Sequence, residues 1–352
     1  MLSVLLNLRN MKHKRINLSD IAKKAGISKS AVSLALNGST MVSEATRKKV
    51  EEIAQAMGYE RNALVSSMMS SLKREGSSKY SETIALVNGN IDEFALKNHP
   101  TLPKYCEGIK DEANRLGYTI NEFWLHDSKL NGELFTRILH SRGIRGGIIL
   151  GHSFGTVFPK SFENIWQNFY FISAGIKTQQ PQLEMVSADH YAITYQAVLK
   201  ALELGYKRPA LVIEENIDNL VDGRFVAGFL RAQMRLSAKQ HIPPFLKTDT
   251  HPNYDNELEK WINTHNPDVL LYLLNTTRET LLAKIQKQKK PIKLIQLERR
   301  SILQNWIGME QNNDTVGRIA MRRLADMLSR TSAVVGENSN LVTLVPPTWI
   351  SE

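Results

Sequence analysis

The stretch Ile16-Asn17-Leu18-Ser19-Asp20-Ile21-Ala22-Lys23-Lys24-Ala25-Gly26-Ile27-Ser28-Lys29-Ser30-Ala31-Val32-Ser33-Leu34-Ala35-Leu36-Asn37 decides how the rest of the chain is read. Asn17 is a helix-capping residue with Asp20 three positions on, and Ile21, Ala22 and Ala25 make one apolar stripe. Gly26 stops that helix. Ser28 caps a second, which runs to Leu36 and ends on Asn37-Gly38. A third helix starts at Ser43, turns Val50, Ile53, Ala54 and Met57 to one side and stops at Gly58. The spacing predicts helix, glycine turn, helix, then a supporting helix.

At about 100° per residue, positions 29, 30, 33 and 34 share one arc of the second helix and 31, 32, 35 and 36 the other. Ala31, Val32, Ala35 and Leu36 suit a core, while Lys29, Ser30 and Ser33 suit a polar groove. Leu34 is an apolar residue on the polar arc. It is either a misplaced core position or a contact for a thymine methyl group.

Charge points the same way. The 352-residue chain has net charge +10, and residues 1–76 hold 13 Lys and Arg against 6 Asp and Glu. This asymmetry favours a polyanion partner for the N-terminal part. With 42% hydrophobic and 23% charged residues the chain is globular in composition, and it is long enough for a small module plus a larger one. Cys106 is the only cysteine, which excludes an intrachain disulfide and a multi-cysteine metal site and suits the cytoplasm. No stretch is long enough to span a membrane. The apolar start, Met1-Leu2-Ser3-Val4-Leu5-Leu6, lacks the preceding charge and following cleavage site of a secretory signal. Met11 is an alternative translation start.

Residues 16–37 closely resemble the opening of LacI/GalR-family regulators, and so do Val42-Ser43-Glu44-Ala45-Thr46-Arg47-Lys48-Lys49-Val50 and Met57-Gly58-Tyr59. The resemblance implies an all-α helix-turn-helix headpiece followed by an α/β bilobed domain, two parallel-sheet lobes of periplasmic-binding-protein-like type. It implies base reading by Lys29, Ser30 and Leu34. It implies DNA-backbone contacts by Asn17, Ser28, Ser33, Asn37, Ser43 and Thr46, which fix register without carrying sequence information. The expected organisation is an extension at 1–15, the helix-turn-helix domain at 16–60, a hinge helix and linker at 61–80, and an effector-binding and dimerisation domain at 81–352.

In the hinge, the resemblance implies a backbone contact by Asn62 and a minor-groove wedge at Met68, where leucine is usual. Methionine is apolar and flexible enough to insert at a base step. Arg61 replaces the usual proline and Val65 a small residue. Read from its residues alone, the serine-rich segment 66–71 is also a plain polar tether.

From Thr83 onward, apolar runs alternate with amphipathic stretches. Residues 84–87, 119–120, 144–150, 170–172, 209–213, 269–274 and 293–297 read as strands, and 105–116, 191–204 and 225–234 as helices. Two successive series of βα units imply two lobes with a ligand cleft at the strands' carboxyl ends. The family resemblance continues in Ala201-Leu202-Glu203-Leu204-Gly205-Tyr206-Lys207-Arg208-Pro209-Ala210, in Asp222-Gly223-Arg224-Phe225-Val226-Ala227-Gly228-Phe229 and in Pro347-Thr348-Trp349-Ile350. It implies that Arg224 binds effector through its planar donor fork. Asp189 matches an acidic cleft position or is a helix cap, and Asn275, or Thr276 beside it, matches a residue that bonds sugar hydroxyls. Glu298-Arg299-Arg300 stands where the family has glycine, an aromatic residue and aspartate, so part of the usual pocket is rebuilt or lost.

Gly151-His152-Ser153-Phe154-Gly155 fits a serine-hydrolase elbow, although Pro159 follows closely and no acid and histidine partners can be assigned. Ser153 reads alternatively as a cleft-loop residue touching an effector. No Walker loop, dinucleotide fingerprint or HExxH motif is present, and no cofactor or metal is expected. An exported sugar-binding protein would share the bilobed fold. The favoured reading is a cytoplasmic, homodimeric transcriptional repressor, not an enzyme. Its partners would be a double-stranded DNA operator and a small polar effector such as a sugar.

Overall fold

The computed structural model describes residues 18–36, 42–57, 82–151, 157–248, 254–273, 285, 291–299, 307–329 and 341–351. They fall into two compact units, one holding the three N-terminal helices and the other beginning at Ser81. Of the sequence-derived site residues, Asn17, Asn37, Asn62, Met68, Ser153 and Asn275 lie outside the described residues, as do the extension and the hinge segment.

The N-terminal unit contains α1 (Leu18–Ala25), α2 (Lys29–Leu36) and α3 (Glu44–Ala56). Ile21, Ala22 and Ala25 of α1, Val32 and Ala35 of α2 and Val50 and Ala54 of α3 are buried in one cluster, with Leu18, Ile27, Leu36, Ile53 and Met57 packed on it. Gly26 takes φ +71°, a left-handed backbone that lets the chain turn sharply from α1 toward α2.

The second unit has two six-stranded sheets. The first contains β1 (Glu82–Asn88), β2 (Tyr118–Trp124), β3 (Gly146–Leu150), β4 (Tyr170–Ala174), β5 (Glu184–Ala188) and β11 (Val342–Val345). Its order is β11-β5-β4-β3-β1-β2, and every pairing is parallel. The second contains β6 (Pro209–Glu214), β7 (Phe245–Lys247), β8 (Val269–Leu273), β9 (Lys293–Gln296), β10 (Gly308–Glu310) and β12 (Thr348–Ile350), in the order β12-β10-β9-β8-β6-β7. Only β12 runs antiparallel, against β10.

Strand side chains alternate between faces, so each apolar run feeds two cores. In the first lobe, Ile84 and Leu86 join Tyr105, Cys106 and Ile109 of α5 (Leu102–Leu116). Ala85 and Val87 meet Phe135 and Leu139 of α6 (Gly132–Ser141) and Trp166 of α7 (Glu163–Asn168) on the other side. A short helix, α4 (Ala95–Asn98), precedes α5. In the second lobe, Leu211 and Ile213 pack with α8 (His190–Glu203) and α10 (Arg224–Gln233). Ala210 and Val212 face Leu258 and Ile262 of α11 (Tyr254–His265). A short α9 (Glu215–Leu220) links β6 to α10.

The lobes are not two successive halves of the chain, as the order of apolar runs suggests. The chain crosses from β5 to α8, returns from β10 through α12 (Asn313–Ser329) to β11, and crosses again to β12. The crossings are bonded together. Asp189 N donates to Val345 O at 2.9 Å, and Asn312 Nδ2 donates to Pro346 O at 2.9 Å and Thr348 Oγ1 at 3.1 Å. Three tied connections of this kind hold the lobes as a pair while leaving hinge rotation available.

Helix α12 docks on α5 at glycine. A Cβ on Gly108 would stand 1.8 Å from Asp314 O, and one on Gly317 would stand 2.2 Å from Tyr105 O. Ion pairs fasten the same contact. Glu112, whose carboxylate is 3% exposed, receives Arg322 Nε at 2.8 Å and is paired with Arg115. Glu184 receives Arg323 Nε at 2.6 Å. The hydrogen bonds from Arg115 and Arg322 hold the Glu112 carboxyl at about 2, well below its ordinary value of 4.5. Because the folded value is depressed, the stability this group contributes is present above about 4.5 and is lost as pH falls toward about 2. We expect Glu112→Gln to cost about 1 to 3 kcal/mol at neutral pH and little at pH 2, since charge-assisted hydrogen bonds are of that size. Urea unfolding at both pH values checks this.

Candidate functional sites in the headpiece and the cleft

The headpiece presents its sequence-predicted contacts on two helix N-termini. Ser28 Oγ accepts from Ala31 N at 3.1 Å at the start of α2, and Ser43 Oγ accepts from Thr46 N at 3.3 Å at the start of α3. The Ser43 and Thr46 hydroxyls stand 2.8 Å apart. A hydroxyl that accepts from a helix N–H keeps its own proton to donate, so capping and a phosphate contact are compatible at Ser28 and Ser43. The partial positive charge of each N-terminus adds to the attraction.

On α2, Val32 and Ala35 are fully buried, whereas Lys29 and Ser30 are exposed. Leu34 is half-buried, outside the cluster that takes in Leu36. The structure therefore brings Lys29, Ser30 and Leu34 onto the side of α2 away from the core, and of the two readings of Leu34 it favours the outward one. Ser33 belongs to α2, but its side chain is outside the described residues.

The second site is a narrow cleft, open to solvent, lined by Gly175, Lys177, Ser187, His190, Asp222 and Arg224 among others. Two sequence-predicted effector residues meet here. Arg224 Nη2 donates to Asp189 Oδ1 at 2.8 Å, and the same oxygen accepts from Ala192 N at 3.2 Å. Asp189 is thus the cap of α8 and also the partner of Arg224, the residue that lines the cleft. Arg224 Nε is buried without a hydrogen-bond partner.

Three further cleft residues were missed by the sequence reading. Lys177, in the β4–β5 connection of the first lobe, reaches across to Asp222 of the second at 3.5 Å. Its signal was position alone, just past the carboxyl end of β4 where Gly175 takes φ +91°. His190 follows Asp189 and lies against Phe225, ring centroids 4.8 Å apart. Burial, reinforced by the Arg224 charge and opposed by Asp189, pulls its imidazole down to about 4, so it is neutral at pH 7.

Glu298, two residues past β9, is a buried acid, with Asn313 Nδ2 at 3.4 Å from its Oε1. Burial, with the Glu298 charge adding, pushes the Tyr105 hydroxyl above its usual range, so this acid lies near an α5 residue of the other lobe. The altered segment thus supplies a buried carboxylate to the interface between the lobes. Arg299 N donates to Met309 O at 2.8 Å, a backbone role. Among the described residues, no group of three or more His, Cys, Asp or Glu side chains is placed to hold a metal ion, and no helix is long and apolar enough to cross a membrane.

Residues 17–62 match the model of the lacI family of bacterial regulatory proteins. That match takes in the three N-terminal helices and identifies them as a helix-turn-helix of the lacI type. It is 24% identical over 197 residues to the HTH-type transcriptional regulator MalR of Streptococcus pneumoniae, covering 56% of each chain. It is 25% identical over 225 residues to catabolite control protein A of Priestia megaterium, covering 62% of this chain and 60% of that one. The chain thus spans little more than half the length of the curated relatives it matches. Among solved structures, the regulator CelR in complex with cellobiose superposes with TM-score 0.58 at 15% identity, over 96% of this chain and 99% of that one. The lac repressor dimer bound to operator and the anti-inducer ONPF gives 0.53 at 18%, over 96% and 98%. At these identities the likeness shows the fold, a lacI-type helix-turn-helix followed by a periplasmic-binding-protein-like pair of lobes.

The buried His190 makes a direct prediction. Its folded value is lowered from 6.5 to about 4, so its contribution is intact above about 6.5 and is lost as pH falls to about 4. Across that window we expect a loss on the order of 2 to 3 kcal/mol from this residue. His190→Leu should flatten that part of the stability–pH curve, as read by thermal unfolding at pH 7, 5.5 and 4.5.

Proposed function

We propose that the protein is a sequence-specific DNA-binding transcriptional regulator, a repressor, whose operator affinity is set by a small polar effector in the cleft between its lobes. The observation that carries the reading is the headpiece. Its core takes Val32 and Ala35 and leaves Lys29, Ser30 and Leu34 turned outward on a helix whose N-terminus is capped by Ser28. Such a helix fits the major groove, with side chains on base edges and capping hydroxyls on phosphates.

Two copies on a two-fold axis would read a near-palindromic operator in the cytoplasm. Asn17, Asn37 and Asn62 complete the set of backbone contacts, and residues 61–80 serve as the hinge. The ion pair between Asp189 and Arg224, which lines the cleft, supports an effector site, and Ser153 and Asn275 are proposed to contribute to it. Cellobiose in CelR and ONPF in the lac repressor make a sugar-like effector the leading class. Relatives named as regulators favour this over hydrolase chemistry at Ser153 and over an exported binding protein.

Lys29→Ala and Leu34→Ala should each cost about 1 to 3 kcal/mol on the preferred operator and relax one base position. Ser43→Ala should weaken all sites alike. Selection of binding sites from random DNA tests this, and an unaltered motif for Lys29→Ala would remove that residue from base reading.

Met68→Ser should lower specific affinity and operator bending while sparing weak non-specific binding, which is mainly phosphate charge. A circular-permutation gel reads the bend, and equal bend angles for the two proteins would sink the wedge.

A further inference from the structure

The cleft holds two cations from opposite lobes, Lys177 and Arg224, each neutralised by a carboxylate that an incoming group can replace. Lys177 and Asp222 are 50% and 59% exposed and 3.5 Å apart, a contact of the kind that contributes little net stability. Asp189 also caps α8 through Ala192 N, so it keeps a favourable partner for its charge when Arg224 turns away. Arg224 carries one donor, Nε, that is buried without an acceptor. His190, neutral beside it, brings no further positive charge and one more N–H. The carboxylates and cations that line the cleft balance, but they differ in commitment, since Asp222 is loosely held and Lys177 and Arg224 have donors to spare.

We propose that the effector carries an oxyanion, a carboxylate or a phosphate, that binds between Lys177 and Arg224 and takes the place of Asp222 on Lys177 and of Asp189 on Arg224. A planar guanidinium suits two oxygens of such a group, and an ammonium from the other lobe adds a point charge. The ligand class is then a sugar acid or sugar phosphate rather than a neutral sugar. The binding step exchanges ion pairs and makes or breaks no covalent bond. It also joins the lobes through the ligand, replacing the Lys177–Asp222 contact. This deepens the effector reading above and rests on it.

The test is calorimetric titration of the full-length protein with glucose, gluconate, glucose 6-phosphate and inorganic phosphate, with operator binding measured on the same samples. We expect at least one oxyanion to bind about tenfold or more tighter than glucose. Its affinity should fall as salt rises. Gluconate against glucose 6-phosphate separates carboxylate from phosphate. Lys177→Gln should remove the preference. Asp222→Asn, by freeing Lys177, should strengthen phosphate binding, whereas it would weaken a neutral sugar held by that acid. Both positions are exposed, and unliganded thermal unfolding verifies that the variants fold. Glucose binding as tightly as its charged analogues would overturn the oxyanion and keep the effector site. Unchanged phosphate affinity in Lys177→Gln would overturn it as well. No binding by any of the four would overturn both, while retained operator binding would leave the DNA-binding reading standing.

Discussion

Asp189 is the residue on which the two-lobed unit depends most. It stands where the chain first leaves the first lobe, and its backbone N–H is bonded to Val345 O on the strand that later carries the chain across again. Its carbonyl accepts from Ile193 N and its carboxylate from Ala192 N, so it begins α8 twice over. The same carboxylate holds Arg224 at the start of α10. Helices α8 and α10 meet so closely that a Cβ on Gly228 would stand 2.3 Å from Tyr191 O. One acidic side chain therefore ties a crossing, two helix starts and the cleft into a single local arrangement. Arg224 is therefore one contact away from the crossing, the kind of connection at which paired lobes rotate when they do.

The parallel strands were legible in the sequence because both faces of each are covered. Residues 84–87, 209–213 and 269–273 are unbroken apolar runs, the pattern expected of strands buried on both sides. β5 was not legible, since Glu184 and Ser187 interrupt its run. Both are nevertheless buried, Glu184 against Arg323 and Ser187 through a hydroxyl bond to Gly175 O at 2.6 Å. Helix α12 was hidden by its charges, among them Arg318, Arg322 and Arg323, although Val316, Ala320, Leu324 and Leu328 form a buried stripe at four-residue spacing. A charged residue that will be paired in the fold looks, in sequence, like one facing water. The return of β11 to the first sheet was out of reach for a related reason, because pairing order is set by contacts between distant segments.

The sites divide the same way. The outward face of α2 was readable residue by residue, since local capping and a single apolar stripe determine which side faces out, and the exposure of Lys29 and Ser30 follows from it. The roles of Ser28, Ser43 and Thr46 on DNA came from resemblance. In the cleft, Arg224 and Asp189 were found through resemblance, but their mutual contact was not foreseen. Lys177 carries no motif, and Asp222 opens the Arg224 motif without a role of its own there. Their meaning comes from facing each other across the lobes, and only the folded chain places them there.

That difference bears on how an effector could act. A ligand shifts an equilibrium only by its unequal affinity for the two arrangements, and couplings of about 1 to 3 kcal/mol suffice for a switch. A group that had to break a buried, fully bonded ion pair would spend most of its binding free energy on that step. Here the contact between Lys177 and Asp222 is exposed and loose, so a ligand that takes Lys177 gives up little, whereas the part-buried pair of Asp189 with Arg224 costs more to open and Asp189 keeps only its helix cap in return. Linkage then requires operator DNA to alter ligand affinity by the same factor in return. The tightest contact, Glu112 with Arg115 and Arg322, lies away from the cleft, and the loosest, Lys177 with Asp222, lies in it.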